Sequence, residues 1–539
     1  MTSLDVPLTP LRFLERASEV VPHKNAIIDG PRRWNYAEFA NEVQRLAKSL
    51  RNSGVGDGAR VAYLAANSAE LLIAHYAVPL AGGILVAINT RLAAAEVEYI
   101  CAHSEAKLLF GDEEMLTALQ SADVAADSVD NWICLPESDG RTSNTWQGSH
   151  YTDFLADGRG TDIEWTVADE QANISLNYTS GTTGRPKGVL YSHRGAFLSS
   201  LGGAHHSKFD ASTKYLWTLP MFHCNGWCTT WAVTAALGTH VCLRSVRADA
   251  VWAMIDEHQI THLNGAPTVL TMLAYAEQAH VLTTPLTISN GGAPPSPTII
   301  AAMRALGASV VHIYGLTETY GPYAVCEPQP EWDELDDDHQ AQLMARQGVG
   351  LISGQRVRVV REELSDAGEL VDVKADGQEI GELVMRGNGV MKGYYKDEEG
   401  TRQATAGGWF HSGDLGVMHP DKYVQVLDRA KDVVISGGEN ISTIEVEHAI
   451  LSHPGVLEAA VVSTPDDRWG ERPKAFVVSV DPDLDDLALN RHVRARIASY
   501  KTPDVFEFVR ELPKTSTGKI RKNKLRENEW SALEVKIRG

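Results

Sequence analysis

The apolar positions of this chain switch between helical and strand periods. Residues 8–20 and 36–53 carry apolar side chains three and four apart, which predicts amphipathic helices around a short strand at Asn25–Ile28. Leu71–Ile88 (LLIAHYAVPLAGGILVAI) is the longest stretch without charge. It is nearly long enough to span a bilayer, but His75, Pro79 and the pair Gly82–Gly83 break it. A buried helix, a turn and a buried strand fit it better. From residue 213 the alternation is regular. TKYLWTL (213–219) and HVCLRS (240–245) read as strands, and 248–258 reads as a helix with Val251, Met254, Ile255 and His258 on one face. Then come a strand at 261–265, a helix at 267–279, a strand at 286–292, a helix at 296–306 and a strand at 309–315. This spacing implies a mainly parallel, doubly wound sheet. Ligands of such sheets bind beyond the carboxyl ends of the strands. The loops there are NGGAPP (290–295) and YGLTET (314–319).

The texture changes at 350–427, where short alternating runs rich in Val, Glu and Gly predict a small β-rich module. Beyond it, 443–452 (helix), 457–463 and 475–480 (strands), 485–499 (helix) and 504–509 (strand) predict a compact α/β unit. The main boundary falls near Lys431, giving residues 1–430 and 431–539. The predicted fold class is therefore α/β: a large N-terminal domain of stacked, mainly parallel sheets, a small β-rich subdomain, and a small mobile C-terminal α/β domain.

Composition excludes some functions. The chain has 539 residues, of which 43% are apolar and 22% charged, enough for several cores and against wholesale disorder. The net charge of -21 argues against nucleic-acid or anionic-membrane binding. An acidic run at 327–338 contrasts with residues 491–526, where 11 Lys/Arg face 3 Asp/Glu, as a module turned toward a polyphosphate would show. Cys101, Cys134, Cys224, Cys228, Cys242 and Cys326 form no CxxC, which fits a reducing cytoplasm and makes zinc improbable. The acidic start MTSLDV is no secretory signal, and no lipidation or peroxisomal tail is expected from the C-terminus. A homodimer, the commonest assembly, is the default oligomeric expectation.

The densest chemical signal is YTSGTTGRPKGV (178–189), with three glycines, four Ser/Thr hydroxyls and one lysine. Glycines let backbone N–H groups approach an anion, hydroxyls add donors, and Lys187 adds a charge. A Walker loop is excluded, because Lys187 is followed by Gly188 and not by Ser or Thr. A lone run of this kind is ordinarily a surface turn; here six further strings accompany it.

With PMFHCNGW (220–227), NGGAPP (290–295), YGLTET (314–319), GGWFHSGD (407–414), DRAKDVVISGGENIS (428–442) and PKTSTGKI (513–520), the chain resembles the adenylate-forming superfamily of acyl-CoA synthetases, luciferases and adenylation domains. It is most similar to short- and medium-chain fatty-acid–CoA ligases, including 3-(methylthio)propionate–CoA ligases, on PMFHCNGW, YGLTETYGP and the acidic insert before Arg346-Gln-Gly348. The resemblance implies ATP, Mg²⁺ and coenzyme A as reactants and cofactors. It places Lys519, Glu318, Thr317 and His223 at the chemistry, with Glu318 on the metal. It puts Thr179, Ser180, Gly181, Thr182, Thr183, Gly184, Lys187 and Thr319 with the phosphates. It assigns Gly292, Ala293, Pro294, Tyr314 and Gly315 to adenine, and Asp414 with Arg429 to the ribose. Gly437, Gly438 and Glu439 would line a pantetheine passage, Lys431 would be a hinge, and Trp227, Gly226, Trp231 and Gly265 would shape the acyl pocket.

Each residue also has an ordinary reading: a solvated Glu318, a core Tyr314 or Trp231, an Asp414–Arg429 salt bridge, a tight turn at Gly437–Gly438. The motifs outweigh those for Lys519 and Glu318, and Trp231 stays evenly balanced. An amino-acid adenylation domain would carry an acid near PMFHCNGW, and none is there. A long-chain or aromatic acid, or an acceptor other than CoA, stays open. A non-catalytic nucleotide-binding regulator would lack Glu318, Asp414, Arg429 or Lys519, and all four are present.

Overall fold

The structure is a computed structural model and describes residues 4–122, 129–179, 185–436, 439–466, 468–515 and 518–530. Two large sheets sandwich a helical layer. Ala69–Leu80 is apolar on every side, and every residue in it is buried. A helix without a polar face has to lie between two apolar surfaces. It packs against Asn25–Asp29 of one sheet and Ile84–Ala87 of the other. Pro79 is tolerated in its last turn, and Ser68 caps its start by accepting the Leu71 N–H. Beside it runs Tyr36–Asn52, opened by a reciprocal Asn35–Glu38 capping box and burying Tyr36, Phe39, Val43, Leu46 and Leu50 on one face.

The first sheet runs Val349–Gly350, Gly321–Val325, Ala308–Leu316, Leu286–Asn290, His262–Gly265, Lys214–Leu216, Thr239–Cys242, Asn25–Asp29, Arg32–Asn35. From Ala308–Leu316 to Asn25–Asp29 every pairing is parallel. The second runs Gly393–Tyr394, Lys187–Ser192, Asn173–Thr179, Ile84–Ala87, Arg60–Leu64, Ala106–Gly111, Asn131–Cys134, Ser149–His150, parallel beyond Asn173–Thr179. A third, antiparallel sheet holds Leu370–Asp372, Arg358–Leu364, Gly381–Met385, Phe410–Met418 and Val424–Arg429. A fourth joins Glu439–Ile441, Val434–Ser436, Gly470–Ser479, Val456–Asp466 and Val505–Phe508.

The α/β class with stacked sheets agrees with the sequence reading, with local differences. The strand expected over 213–219 stops at Leu216, because the amide of Asn67 takes the carbonyls of Trp217 and Leu219 and draws the chain out of the sheet. The helix expected over 267–279 ends at Ala274, where the Leu273 carbonyl accepts the Trp252 indole N–H instead. Arg32–Asn35 pairs with the predicted first strand as an unpredicted hairpin. Among the described residues, no helix is long and apolar enough to cross a membrane.

Charge is buried where the two large sheets meet. Arg32 reaches Asp29 (2.6 Å) and Glu70 (2.5 Å), and both carboxylates are almost fully enclosed. Removing one partner strands the others without water, which costs about 3–5 kcal/mol. Arg32→Ala is therefore expected to lower the denaturant midpoint strongly, whereas Arg141→Ala, in an exposed pair, leaves it unchanged; equal midpoints for the two variants would contradict the burial argument.

Candidate active site

Strands of the third sheet place one carboxylate. Asp414 on Phe410–Met418 lies opposite Arg429 on Val424–Arg429, and their side chains meet at 3.5 Å. Gly413 takes a left-handed φ of +70° just before it. That turn is held by Glu382, whose carboxylate accepts the Gly413 N–H at 2.9 Å and pairs with His411 at 2.7 Å. From the first sheet, the Tyr314 hydroxyl donates to Asp414 at 2.7 Å. Burial and the adjacent Asp414 push the Tyr314 phenol pKa well up, so it stays a donor. Tyr314, Asp414 and Arg429 thus form one cluster. Gly292 has φ +86° and open space around it, with Ala293 and Pro294 following on the same loop.

Gly315 is obligatory at its position, since a Cβ there would lie 1.9 Å from the Gly321 carbonyl. That close approach produces the short 3₁₀ turn Thr317–Thr319. Glu318 accepts the Tyr394 hydroxyl at 2.9 Å, and the Lys187 ammonium lies 4.5 Å over the same Tyr394 ring. Lys187 also pairs with Asp397 at 3.1 Å. Tyr394 therefore joins the two groups expected at the phosphates. Its sequence signal was only a tyrosine after Gly393. Thr179 ends the strand that pairs with Lys187. Ser180, Gly181, Thr182, Thr183 and Gly184 lie outside the described residues, as do Gly437 and Gly438. Thr319, expected among the nucleotide contacts, is buried, with its hydroxyl against the carbonyls of Leu316 and Gly321.

The PMFHCNGW segment ends in a left-handed turn. Cys224, Asn225, Gly226, Trp227 and Cys228 all have φ between +45° and +60°. Four of these five are not glycine, so the turn is strained and is imposed by its surroundings. Asn225 is fully buried and accepts the Ser175 hydroxyl, which also meets Tyr320. Gly226 has no room for a Cβ, which would fall 2.5 Å from the Trp217 ring. The turn lays the Trp227 ring along Gly291 and Gly321, within 3.0 and 3.1 Å of where their Cβ atoms would be. The Cys224 thiol reaches Thr317 at 3.7 Å. His223 is held neutral, its pKa pushed down to about 4 by burial and by the nearby Lys519 charge. Trp231 lies in the core, with its indole N–H on the His75 carbonyl. Gly265 bonds the neighbouring loop through its carbonyl, to the Asn290 amide and the Gly291 N–H.

Lys519 comes to this cluster from the far end of the chain. Gly518 has φ +84°, and a Cβ on it would sit 2.3 Å from Thr268, on the turn just after Gly265. The loop is closed by the Thr515 N–H on the Lys519 carbonyl, at 2.7 Å. Burial, with the neighbouring Arg429 charge, lowers the Lys519 pKa from 10.5 to about 8, against the opposing pull of Asp414 and Asp432. Lys431 is exposed, with its carbonyl accepting from Arg526 at 2.8 Å. Glu439 stands exposed on the hairpin after it.

A carboxylate paired with a guanidinium, a second carboxylate joined to an ammonium through Tyr394, and a half-buried lysine have the chemistry to hold a nucleotide polyphosphate and an acid. The comparisons agree. The AMP-binding enzyme family matches residues 14–395, and the AMP-binding enzyme C-terminal domain matches residues 445–519. The chain belongs to the AMP-binding enzyme family and is an AMP-forming acyl-CoA ligase, with ATP and CoA as co-substrates. It is 41% identical to a peroxisomal acetate/butyrate–CoA ligase of Arabidopsis thaliana, over 96% of this chain and 94% of that one. It is 40% identical to a peroxisomal trans-cinnamate:CoA ligase of Petunia hybrida, over 97% and 94%. Its fold matches ATP-bound MatB from Rhodopseudomonas palustris with TM-score 0.81 and 28% identity, covering 96% of this chain and 98% of that one.

Two predictions test this geometry. Tyr394→Phe keeps the ring under Lys187 but removes the bond to Glu318, and should slow adenylation about tenfold while sparing thiol transfer from supplied acyl-adenylate; an unchanged adenylation rate would remove Tyr394 from the site. If Lys519 acts as the cation its motif implies, kcat/KM should fall as pH rises through about 8, and Lys519→Arg should lose that limb. Stability runs the other way. The unfolded chain holds more protons on this group between about 8 and 10.5, so its contribution to stability rises with pH in that window.

Proposed function

We propose that this ligase activates short- and medium-chain carboxylic acids, with 3-(methylthio)propionate a candidate. The observation that carries this reading is the Trp227 indole laid across Gly291 and Gly321, which we read as closing the acyl pocket to a long chain. The names of similar proteins support it: acetate/butyrate–CoA ligase and 2-methylpropanoate–CoA ligase stand beside benzoate–CoA ligase. The scattered, buried cysteines support a reducing compartment, and we read the chain as cytoplasmic, although several relatives are peroxisomal by name.

In the first step a carboxylate oxygen attacks the α-phosphorus of ATP. The bond to the β-phosphate oxygen breaks and pyrophosphate leaves. Two anions meet here, so fixed positive charge lowers the barrier more than any other device available. Lys519 would neutralise the attacking carboxylate and the α-phosphate together. Thr179–Gly184 and Lys187 would cradle the phosphates, with Thr317 near the α-phosphate. Asp414 and Arg429 would fix the ribose, and Tyr314 with Gly292–Pro294 would frame adenine. Glu318 offers a hard oxygen ligand of the kind Mg²⁺ takes. Among the described residues no cluster of three or more His, Cys, Asp or Glu could cage a metal alone, so phosphate oxygens and water would complete its shell. When bound there, the ion would shield the leaving pyrophosphate.

In the second step the CoA thiol attacks the acyl carbonyl, AMP departs with the bonding pair, and the thiol proton is released. Lys519 and its loop stand on the turn at Thr268, so the C-terminal unit (431–539) has to swing on the N-terminal one (1–430). Lys431 would be the hinge. Gly437, Gly438 and Glu439 would then line the pantetheine path.

An assay with ATP, Mg²⁺ and CoA against acids from acetate to palmitate, with benzoate, trans-cinnamate and 3-(methylthio)propionate, tests the reading. CoA-dependent AMP release should peak at about four to eight backbone atoms, and each methylene beyond the pocket should cost about tenfold or more. A peak at long-chain or aromatic acids would overturn the acyl assignment, and pyrophosphate exchange without thioester would point to another acceptor. Lys519→Ala should lower adenylation by ~10²-fold or more and leave thiol transfer from supplied acyl-adenylate largely intact; equal loss of both would overturn its role.

A further inference from the structure

We infer that Asp428, Thr443 and Lys522 form a latch that holds the C-terminal unit in the adenylate-forming arrangement and is broken for the thiol-transfer step. The inference rests on the two-step reading above. Asp428 is the penultimate residue of the strand that Arg429 ends, on the ribose side of the Lys431 segment. Thr443 opens the helix Thr443–Leu451 on the other side. The Thr443 N–H and hydroxyl both donate to the same Asp428 oxygen, at 2.7 and 2.6 Å. The Ser442 hydroxyl, which caps that helix, also donates to the Leu427 carbonyl. The Thr443 oxygen in turn accepts from Lys522 at 2.6 Å. Lys522 lies three residues beyond Lys519. One chain of bonds therefore runs from the residue beside Arg429 to the loop bearing Lys519.

The surroundings make this chain costly to leave half-made. Asp428 is 2% exposed, and burial raises its pKa against the pull of Lys522 and Thr443. Burial works against the charge on Lys522, yet Glu447 at 2.7 Å and Asp428 outweigh it and raise its pKa. Glu447 is itself anchored, accepting the Val461 N–H at 2.7 Å.

The bonds sort by the side of Lys431 on which their partners lie. Lys522–Glu447 and Arg526–Asp432 (2.6 Å) join residues that all follow Lys431, so both survive a swing at that residue. Asp428–Thr443 and Leu427–Ser442 cross it, so both must break before a thiol can replace the Lys519 loop. The same carboxylate that sets Lys519 in place thus sets the cost of withdrawing it. Asp428 and Thr443 act through Lys519 and touch no substrate, so they are positioning residues.

Thr443→Val removes the hydroxyl link but keeps the N–H, and Asp428→Asn keeps the shape and removes the charge. Each is assayed in one preparation for pyrophosphate exchange and for thioester formation from supplied acyl-adenylate, with its melting temperature recorded. Adenylation is expected to fall about tenfold or more while thiol transfer holds or rises, so the ratio of half-reactions shifts by at least about tenfold. Thr443→Ser should restore the wild-type ratio. A parallel fall of both half-reactions, or no change in either, at an unaltered melting temperature would overturn the latch. A wild-type protein without pyrophosphate exchange would instead overturn the two-step reading on which it stands.

Discussion

A lysine ammonium set among a guanidinium and carboxylates is the interaction on which the rest depends. Lys519 sits close enough to Arg429 for their charges to oppose each other, and burial adds to that penalty. Left alone, such an arrangement loses a proton at a modest pH. Filled with a carboxylate and a polyphosphate, as the proposed reaction requires, it would become favourable, because the anions would supply the counter-charge that the protein withholds. The site is therefore matched to the moment at which both anions are present, not to the empty protein.

The same constraint explains the division of the chain. A lysine on the long strands of the first sheet would remain in the site after the adenylate forms and block the thiol. Placed on a short loop near the far end of the chain, it could be withdrawn, as the proposed two-step reading requires. The price of that arrangement is that the loop must be positioned each time, by Gly518 against Thr268 and by bonds around Lys522. The fixed parts of the site come from the large sheets, where Gly315 and Gly413 make the close turns that aim Glu318 and Asp414.

Much of this was legible in the residues. The repeating strands and helices between 213 and 315 are half-buried or bounded by turns, so their periods show, and both loops they predict lie at strand ends in the site. The second sheet was not resolved strand by strand, because parallel strands buried on both faces read as plain apolar runs. Tyr394 and Asp428 carry no local signal, since their partners lie 76 and 15 residues away. The left-handed turn at 224–228 was hidden for another reason. Only Asn225 and Gly226 favour that conformation, and Cys224, Trp227 and Cys228 adopt it under tertiary constraint. Trp231 and Thr319 also carry packing and turn contacts that no motif announces: an indole N–H on the His75 carbonyl and a hydroxyl on the Gly321 carbonyl.

The most direct test of a withdrawable lysine is a covalent staple. Gly518→Cys with Thr268→Cys places two thiols at the contact that seats the Lys519 loop, within reach of a disulfide. Oxidised, the stapled protein should form acyl-adenylate and release pyrophosphate yet fail to make thioester, and reduction should restore turnover. Full thioester formation by the oxidised protein would contradict the account, because the loop would then have no need to leave.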